Sequence, residues 1–154
     1  MKNLLLLLIL IAFFNLIAIG QKNKDVPANV KTAFSKEFPE ASKVKWSKES
    51  DKEWEAEFNI DGKEYSAIFD NSGAWMETEY ESSLSEIPAV VKSSLDKDFV
   101  GFQIKECEIS VTREGKIFEF ELKKGNEKTE VSIDANGNIL SKELNKEENK
   151  MKDN

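Results

Sequence analysis

The chain contains no histidine. That absence closes off Ser-His-Asp and Cys-His catalysis and every zinc site that needs an imidazole. A single cysteine, Cys107, rules out an internal disulfide, so stability has to come from core packing. Positive charge is in the minority: 22 Lys and Arg face 29 Asp and Glu, for a formal net charge of −7. Affinity for phosphate backbones depends on Lys and Arg, so no nucleic-acid partner is expected. Neither a cofactor nor a metal is called for.

Long apolar stretches are confined to the first twenty residues. There Lys2 precedes a run from Leu4 to Ile19 broken only by Asn15, and Ala18-Ile19-Gly20 supplies a small-x-small end. This order describes a secretory signal peptide over residues 1–20, with cleavage between Gly20 and Gln21. The run is 16 residues long, short of the roughly 20 that a spanning helix needs. The expected location is the periplasm or the exterior, with membrane contact only through the signal segment before its removal.

What remains shows internal similarity, the first thing to seek in a chain of this size. Residues 26–38 (VPANVKTAFSKEF) align with 87–99 (IPAVVKSSLDKDF), and six of the 13 positions are identical. Further on, Trp54–Phe58 lies over Phe118–Leu122, and Phe69–Gly73 lies over Ile133–Gly137. Each copy opens with a helical pattern. Val30, Ala33, Phe34 and Phe38 share one face in the first copy, and Val91, Leu95 and Phe99 do so in the second. Asp25 and Ser85 are candidate caps, and Pro27 suits an opening turn. Strands follow by alternation. Trp54, Ala56, Phe58 and Ile60 oppose Glu53, Glu55, Glu57 and Asn59, and Asp61-Gly62 marks a two-residue hairpin. Val44 and Trp46 suggest an earlier strand, and Trp75 a later one. The second copy offers Cys107/Ile109/Val111, Phe118/Phe120/Leu122, Thr129/Val131/Ile133 and a short strand at Ile139.

These features divide the chain into a signal peptide (1–20), a first repeat (21–82), a second repeat (83–142) and a charged flexible tail (143–154). The expected fold class is α+β: two tandem repeats, each a helix followed by about four antiparallel strands, with the helices packed on one sheet face. A single copy of this size is marginal alone, so the two sheets are expected to lie side by side or pack together.

Val26, Pro27, Val30, Phe38, Pro39, Ala41, Val44, Trp46, Asp61, Gly62, Tyr65, Phe69, Asp70, Gly73 and Trp75 together form a pattern that resembles the PepSY-like, beta-lactamase-inhibitor-like family of exported proteins. The resemblance covers residues 25–142 and is better carried by the first copy. The second has Val100 in place of Pro39 and Ile139 in place of Trp75. It implies a layered fold like that of a beta-lactamase-inhibitor protein, in the periplasm or secreted. No inhibitor contact residue can be matched position by position.

Candidate sites are few. Asp70–Gly73 and Asp134–Gly137 look superficially like calcium loops, but their glycine spacing is wrong for an EF-hand and suits a turn. Glu53, Glu55 and Glu57, with Glu119 and Glu121, could supply an acid/base pair only if burial separated their pKa values. Their alternation predicts a solvated sheet face instead. Trp54 and Tyr65 are expected in the core, and Cys107 as a small buried hydrophobe. Trp46, Trp75 and Tyr80 are the candidate binding residues, since aromatics dominate interface hot spots. The function expected is a non-catalytic protein- or peptide-binding module of the cell envelope, inhibitor-like in kind. The alternative is a small-molecule or ion carrier of the periplasm, with its pocket between helix and sheet. An enzyme would have to be assembled from carboxylates, Lys, Tyr or Ser alone.

Overall fold

A computed structural model describes residues 26–146. The expected signal peptide, the cap candidate Asp25 and residues 147–154 of the expected tail lie outside the described residues. Helix α1 (Ala28–Glu37) leads into β1 (Ser42–Lys48), β2 (Glu53–Ile60), β3 (Lys63–Asp70) and β4 (Trp75–Glu81). Helix α2 (Ala89–Asp98) precedes β5 (Gln103–Thr112), β6 (Gly115–Lys124), β7 (Glu127–Asp134) and β8 (Ile139–Lys146). All strands are antiparallel to their neighbours and run in sequence order through one 8-stranded sheet.

This sheet corrects the expected α+β fold class of two helix-plus-four-strand repeats. β4 pairs with β5 from Glu77↔Thr112 to Glu81↔Glu108, so hydrogen bonding continues without a break. The result is one predominantly β layer with two helices of 10 residues each. Alternation along a strand says which face a side chain takes but not which strand lies beside it. A β-dominated layer was therefore concealed behind two well-marked helical patterns.

Both helices rest on the same face. Val30 and Phe34 of α1 join Ala56, Phe58, Ala67 and Phe69 in one buried cluster. Val91 and Leu95 of α2 join Phe99, Cys107, Ile109, Phe118, Phe120, Leu122, Val131 and Ile133 in another. Each helix begins at a proline N-cap, Pro27 or Pro88, with no side-chain cap; Ser85 instead shares a hydrogen bond with Ser83. β8 reaches Lys146 and so takes in the first four residues of the segment expected as tail. An edge strand pairs on one side only and tolerates such charge.

The turns follow their residues. Asp61 (φ 52°) and Gly62 (φ 82°) both take positive φ, as a two-residue hairpin requires. At the β7–β8 turn, Gly137 (φ +85°) lies against α2, where an added Cβ would meet Ser94 Oγ and Val90 Cγ2 at 2.9 Å. Around Gly62 nothing lies within 4 Å of such a Cβ. Gly62→Ala therefore carries only the backbone penalty of about 1 kcal/mol, whereas Gly137→Ala adds a clash and costs about 2 kcal/mol or more. Urea titration of the two variants should rank them in that order.

Candidate functional site

With both helices on one side, no helix or second sheet stacks on the opposite face among the described residues. That open face carries the mostly polar half of the alternations, with Ile68 beside Glu55 and Ile117 beside Ser110, and its serines and glutamates form a ladder with members on all eight strands. On β1–β3, Ser47 Oγ and Ser66 Oγ donate to the two oxygens of Glu55, each at 2.8 Å. At the centre, Ser110 Oγ on β5 donates to Glu77 on β4. Beyond it, Ser132 Oγ on β7 donates to Glu119 on β6 at 3.3 Å, and Ser141 Oγ on β8 donates to Ser132 at 3.0 Å.

Crowding buries the middle of this ladder although no described element covers it. Glu77 is 4 % exposed, Glu119 2 % and Ser110 0 %. Loss of hydration disfavours the charged form and packed carboxylates repel one another, so pKa values rise. Burial pushes Glu79 up to about 8, helped by Glu77, Glu119, Glu108 and Glu55. Burial pushes Glu119 up to about 7, with Glu77 and Glu108 adding to it. Glu77 and Glu108 are also raised, chiefly by burial. The cluster thus holds protons near neutral pH.

The solvated face expected for the alternating glutamates is therefore only partly found. Glu57 stays half-exposed, 3.8 Å from Lys45, and Glu121 sits 3.0 Å from Lys128. Glu119 is buried. Sequence reasoning passed over Glu77, Glu79, Glu108, Ser110 and Ser132. Their one signal was the matching parity of Glu and Ser on neighbouring strands, which is legible only once the register is known.

The aromatic candidates lie on the other, helix-covered face. Trp46 packs edge-on to Phe34 at 5.2 Å. Trp75 packs against the first cluster, and its Nε1 donates to Thr78 Oγ1 at 2.8 Å. Tyr80 packs against the second cluster, 5.3 Å from the ring of Tyr65, with Lys63 Nζ 4.7 Å from its own ring centroid. Trp75 and Tyr80 share β4, while Trp46 lies on β1, beyond β2 and β3. Trp54 and Tyr65 are half-buried against the first cluster. Trp54 Nε1 donates to Asn71 Oδ1 at 2.8 Å, and Tyr65 stacks on Phe58 at 5.7 Å. Cys107 is buried, which pushes its thiol up to about 11.

The two aspartate turns are locally occupied. Asp70 Oδ1 accepts from Ser72 N, Ser72 Oγ and Ala74 N at 2.6–2.9 Å. Asp134 Oδ1 accepts from Asn136 N and Asn138 N, both at 2.9 Å. No group of three or more acidic or cysteine side chains is arranged to hold a metal ion among the described residues.

Fold and site together define a single-sheet β protein with helices on one face and a ladder of serines and glutamates on the other. The family described as "Putative beta-lactamase-inhibitor-like, PepSY-like" matches residues 18–64 and 52–141. The chain belongs to that family. No curated protein matches it. Among solved structures, a DUF2874 family protein from Bacteroides uniformis shares 20 % identity, with 77 % of this chain and 88 % of that one covered, at a TM-score of 0.70. A BLIP-like protein from Bacteroides fragilis is also 20 % identical, with coverages of 77 % and 85 % and a TM-score of 0.67. A Bacteroides eggerthii protein described as a "putative periplasmic" one gives 20 %, 77 % and 88 %, and 0.70. At this identity the likeness establishes the fold.

Proposed function

We infer that the chain is an exported, non-catalytic module that binds a protein or peptide of the cell envelope, with the open sheet face as its contact surface. The observation that carries this reading is the asymmetry of the layer: both helices seal one face, and no described element covers the other across eight strands. Export is supported by the apolar N-terminus and by the description of the Bacteroides eggerthii neighbour as periplasmic. An inhibitor-like role is supported by family membership and by the BLIP-like neighbour.

Catalysis by the ladder is disfavoured by access. Ser110 is hydrogen-bonded to a carboxylate of raised pKa, but it is 0 % exposed and no substrate reaches it. A carrier with its cavity between helix and sheet is disfavoured by packing, because buried Val30, Phe34, Val91 and Leu95 fill those interfaces.

The test is crosslinking capture from envelope extract, comparing the unaltered chain with Glu81→Arg/Glu106→Arg and with Trp46→Ala. Glu81 and Glu106 are exposed on the open face, so reversing them leaves the core intact. The expected result is one saturable partner, with capture reduced at least tenfold by the double reversal and little by Trp46→Ala. Capture lost only in Trp46→Ala would move the contact surface to the aromatic side, to Trp46, Trp75 and Tyr80. Hydrolytic turnover by the purified chain would end the non-catalytic reading.

A further inference from the structure

We propose that the outer edge of β8 pairs with β8 of a second copy, antiparallel and centred on Lys142, so that the sheet of one chain continues into that of the other. Among the described residues β1 and β8 are the edges of the sheet, each bonded to a neighbouring strand on one side only. An open edge is a template for another strand unless something blocks it.

The two edges differ in this respect. β1 is blocked: its register shifts between Ser42 and Lys45, Lys43 takes a φ of 55°, and Lys43, Lys45 and Lys48 crowd a strand of seven residues. Bulges and lysines are the devices that keep an edge from pairing. β8 has no such break from Ser141 to Lys146, where it pairs residue by residue with Ser132 to Glu127. It also leaves Leu140 45 % and Leu144 49 % exposed, an apolar pair on a strand otherwise polar after Ile139.

Backbone phase and side chains together fix the register. Gly125-Asn126 is a two-residue turn, so the flanking pair Lys124↔Glu127 is hydrogen-bonded and the bonding alternates from there. Lys128, Glu130 and Ser132 thus turn their backbone groups toward Asn145, Glu143 and Ser141 of β8. Lys142 and Leu144 fall between these and turn N–H and C=O outward. In an antiparallel two-fold pair, outward residues must meet outward residues. An axis at Lys142 satisfies this. It sets Leu140 against Leu144 of the second copy, twice over, and Ser141 against Glu143 of the second copy. An axis one residue further on would set Glu143 against its own copy and Lys142 against a leucine. The one like-charge encounter left by the Lys142 axis is Lys142 with itself. That ammonium leans back over its own chain, with Nζ 5.0 Å from the centroid of the Phe99 ring.

The experiment is sedimentation of the exported chain (residues 21–154) over a concentration series, beside Lys142→Pro. Mass is expected to rise from one chain to two, with association at least tenfold weaker in the proline variant. Proline is tolerated on an edge strand where the lost N–H points away from the sheet, and far-ultraviolet dichroism shows that the variant folds. A second measurement reads the register without proline: mild oxidation of Lys142→Cys beside Glu143→Cys. Residues opposite each other in a bonded pair have Cα atoms about 5.5 Å apart, inside the range of about 4.4–6.8 Å that a disulfide spans. Lys142→Cys should therefore give at least five times more linked dimer than Glu143→Cys, while the native Cys107 is buried and stays out of the reaction. The mass of one chain at every concentration would overturn the proposal. So would association that Lys142→Pro leaves unchanged, or equal trapping from the two cysteine variants.

Discussion

Phe34→Ala should lower stability by about 3–5 kcal/mol, the range for deleting a buried aromatic side chain. Phe34 is the hub by which α1 holds the first half of the sheet. Its ring lies 5.0 Å from Phe58, 5.2 Å from Trp46, 5.4 Å from Phe38 and 6.1 Å from Phe69, all tilted or edge-on. Such pairs add about 0.5–1.5 kcal/mol beyond their buried area. Beneath the helix, Ala56 and Ala67 are 0 % exposed, and alanine cannot expand into the space a lost ring leaves. The loss is a large part of the roughly 5–15 kcal/mol that holds an ordinary domain together. Urea unfolding followed by the fluorescence of Trp46, Trp54 and Trp75, all packed against the first cluster, and by far-ultraviolet dichroism measures it. Because β4 and β5 pair continuously, the two probes should report one shared transition. A loss below about 1 kcal/mol, the size of an ordinary substitution, would show that Phe34 is not the hub. Separate midpoints would show that the two clusters melt independently.

The same residues show how far the sequence could be read. Val30, Phe34, Val91 and Leu95 declared themselves by helical spacing, and Asp61-Gly62 by turn chemistry, because both signals are local. The continuous sheet is not local. Thr78 and Tyr80 of β4 lie opposite Val111 and Ile109 of β5, and nothing in either strand names the other. The two helical patterns therefore suggested a pair of α+β units where the molecule has one β layer. The ladder was hidden for a related reason. Glu119 alternates with Phe118 and Phe120 as any surface glutamate would. Its burial arises from Glu108 on one side and Ser132 on the other, positions fixed only by register. Trp46, Trp75 and Tyr80 carried an ambiguous signal, since an aromatic at a strand position suits a core and an interface equally. In the structure all three sit on the helix side.

Raising the pH from 5 to 8 should lower the melting temperature by roughly 10 °C, through the ladder. The folded-state pKa values of Glu79 and Glu119, about 8 and about 7, lie above the ordinary 4.5. Below about pH 4.5 both states are protonated and there is no penalty. Above it the unfolded chain releases protons that the folded chain retains, so stability falls until the folded carboxyls have also ionised. Each tenfold difference in proton affinity between the two states is worth about 1.4 kcal/mol. After allowing for the coupling of the two carboxyls, the loss by pH 8 is on the order of 3 kcal/mol. Asp70 and Asp134, held below the usual range mainly by hydrogen bonds from Ser72 and Asn138, act with the opposite sign. Their contribution is lost only as pH falls below about 4, outside this window. Glu79→Gln keeps a hydrogen-bonding side chain while removing the titration. It should match the unaltered chain at pH 5, exceed it by on the order of 5 °C at pH 8, and flatten the profile. Differential scanning calorimetry at matched ionic strength decides the matter. A melting temperature that is flat or rising from pH 5 to 8 would mean that the face is hydrated and its glutamates are ordinary. A Glu79→Gln profile as steep as the original would place the shared proton elsewhere in the cluster.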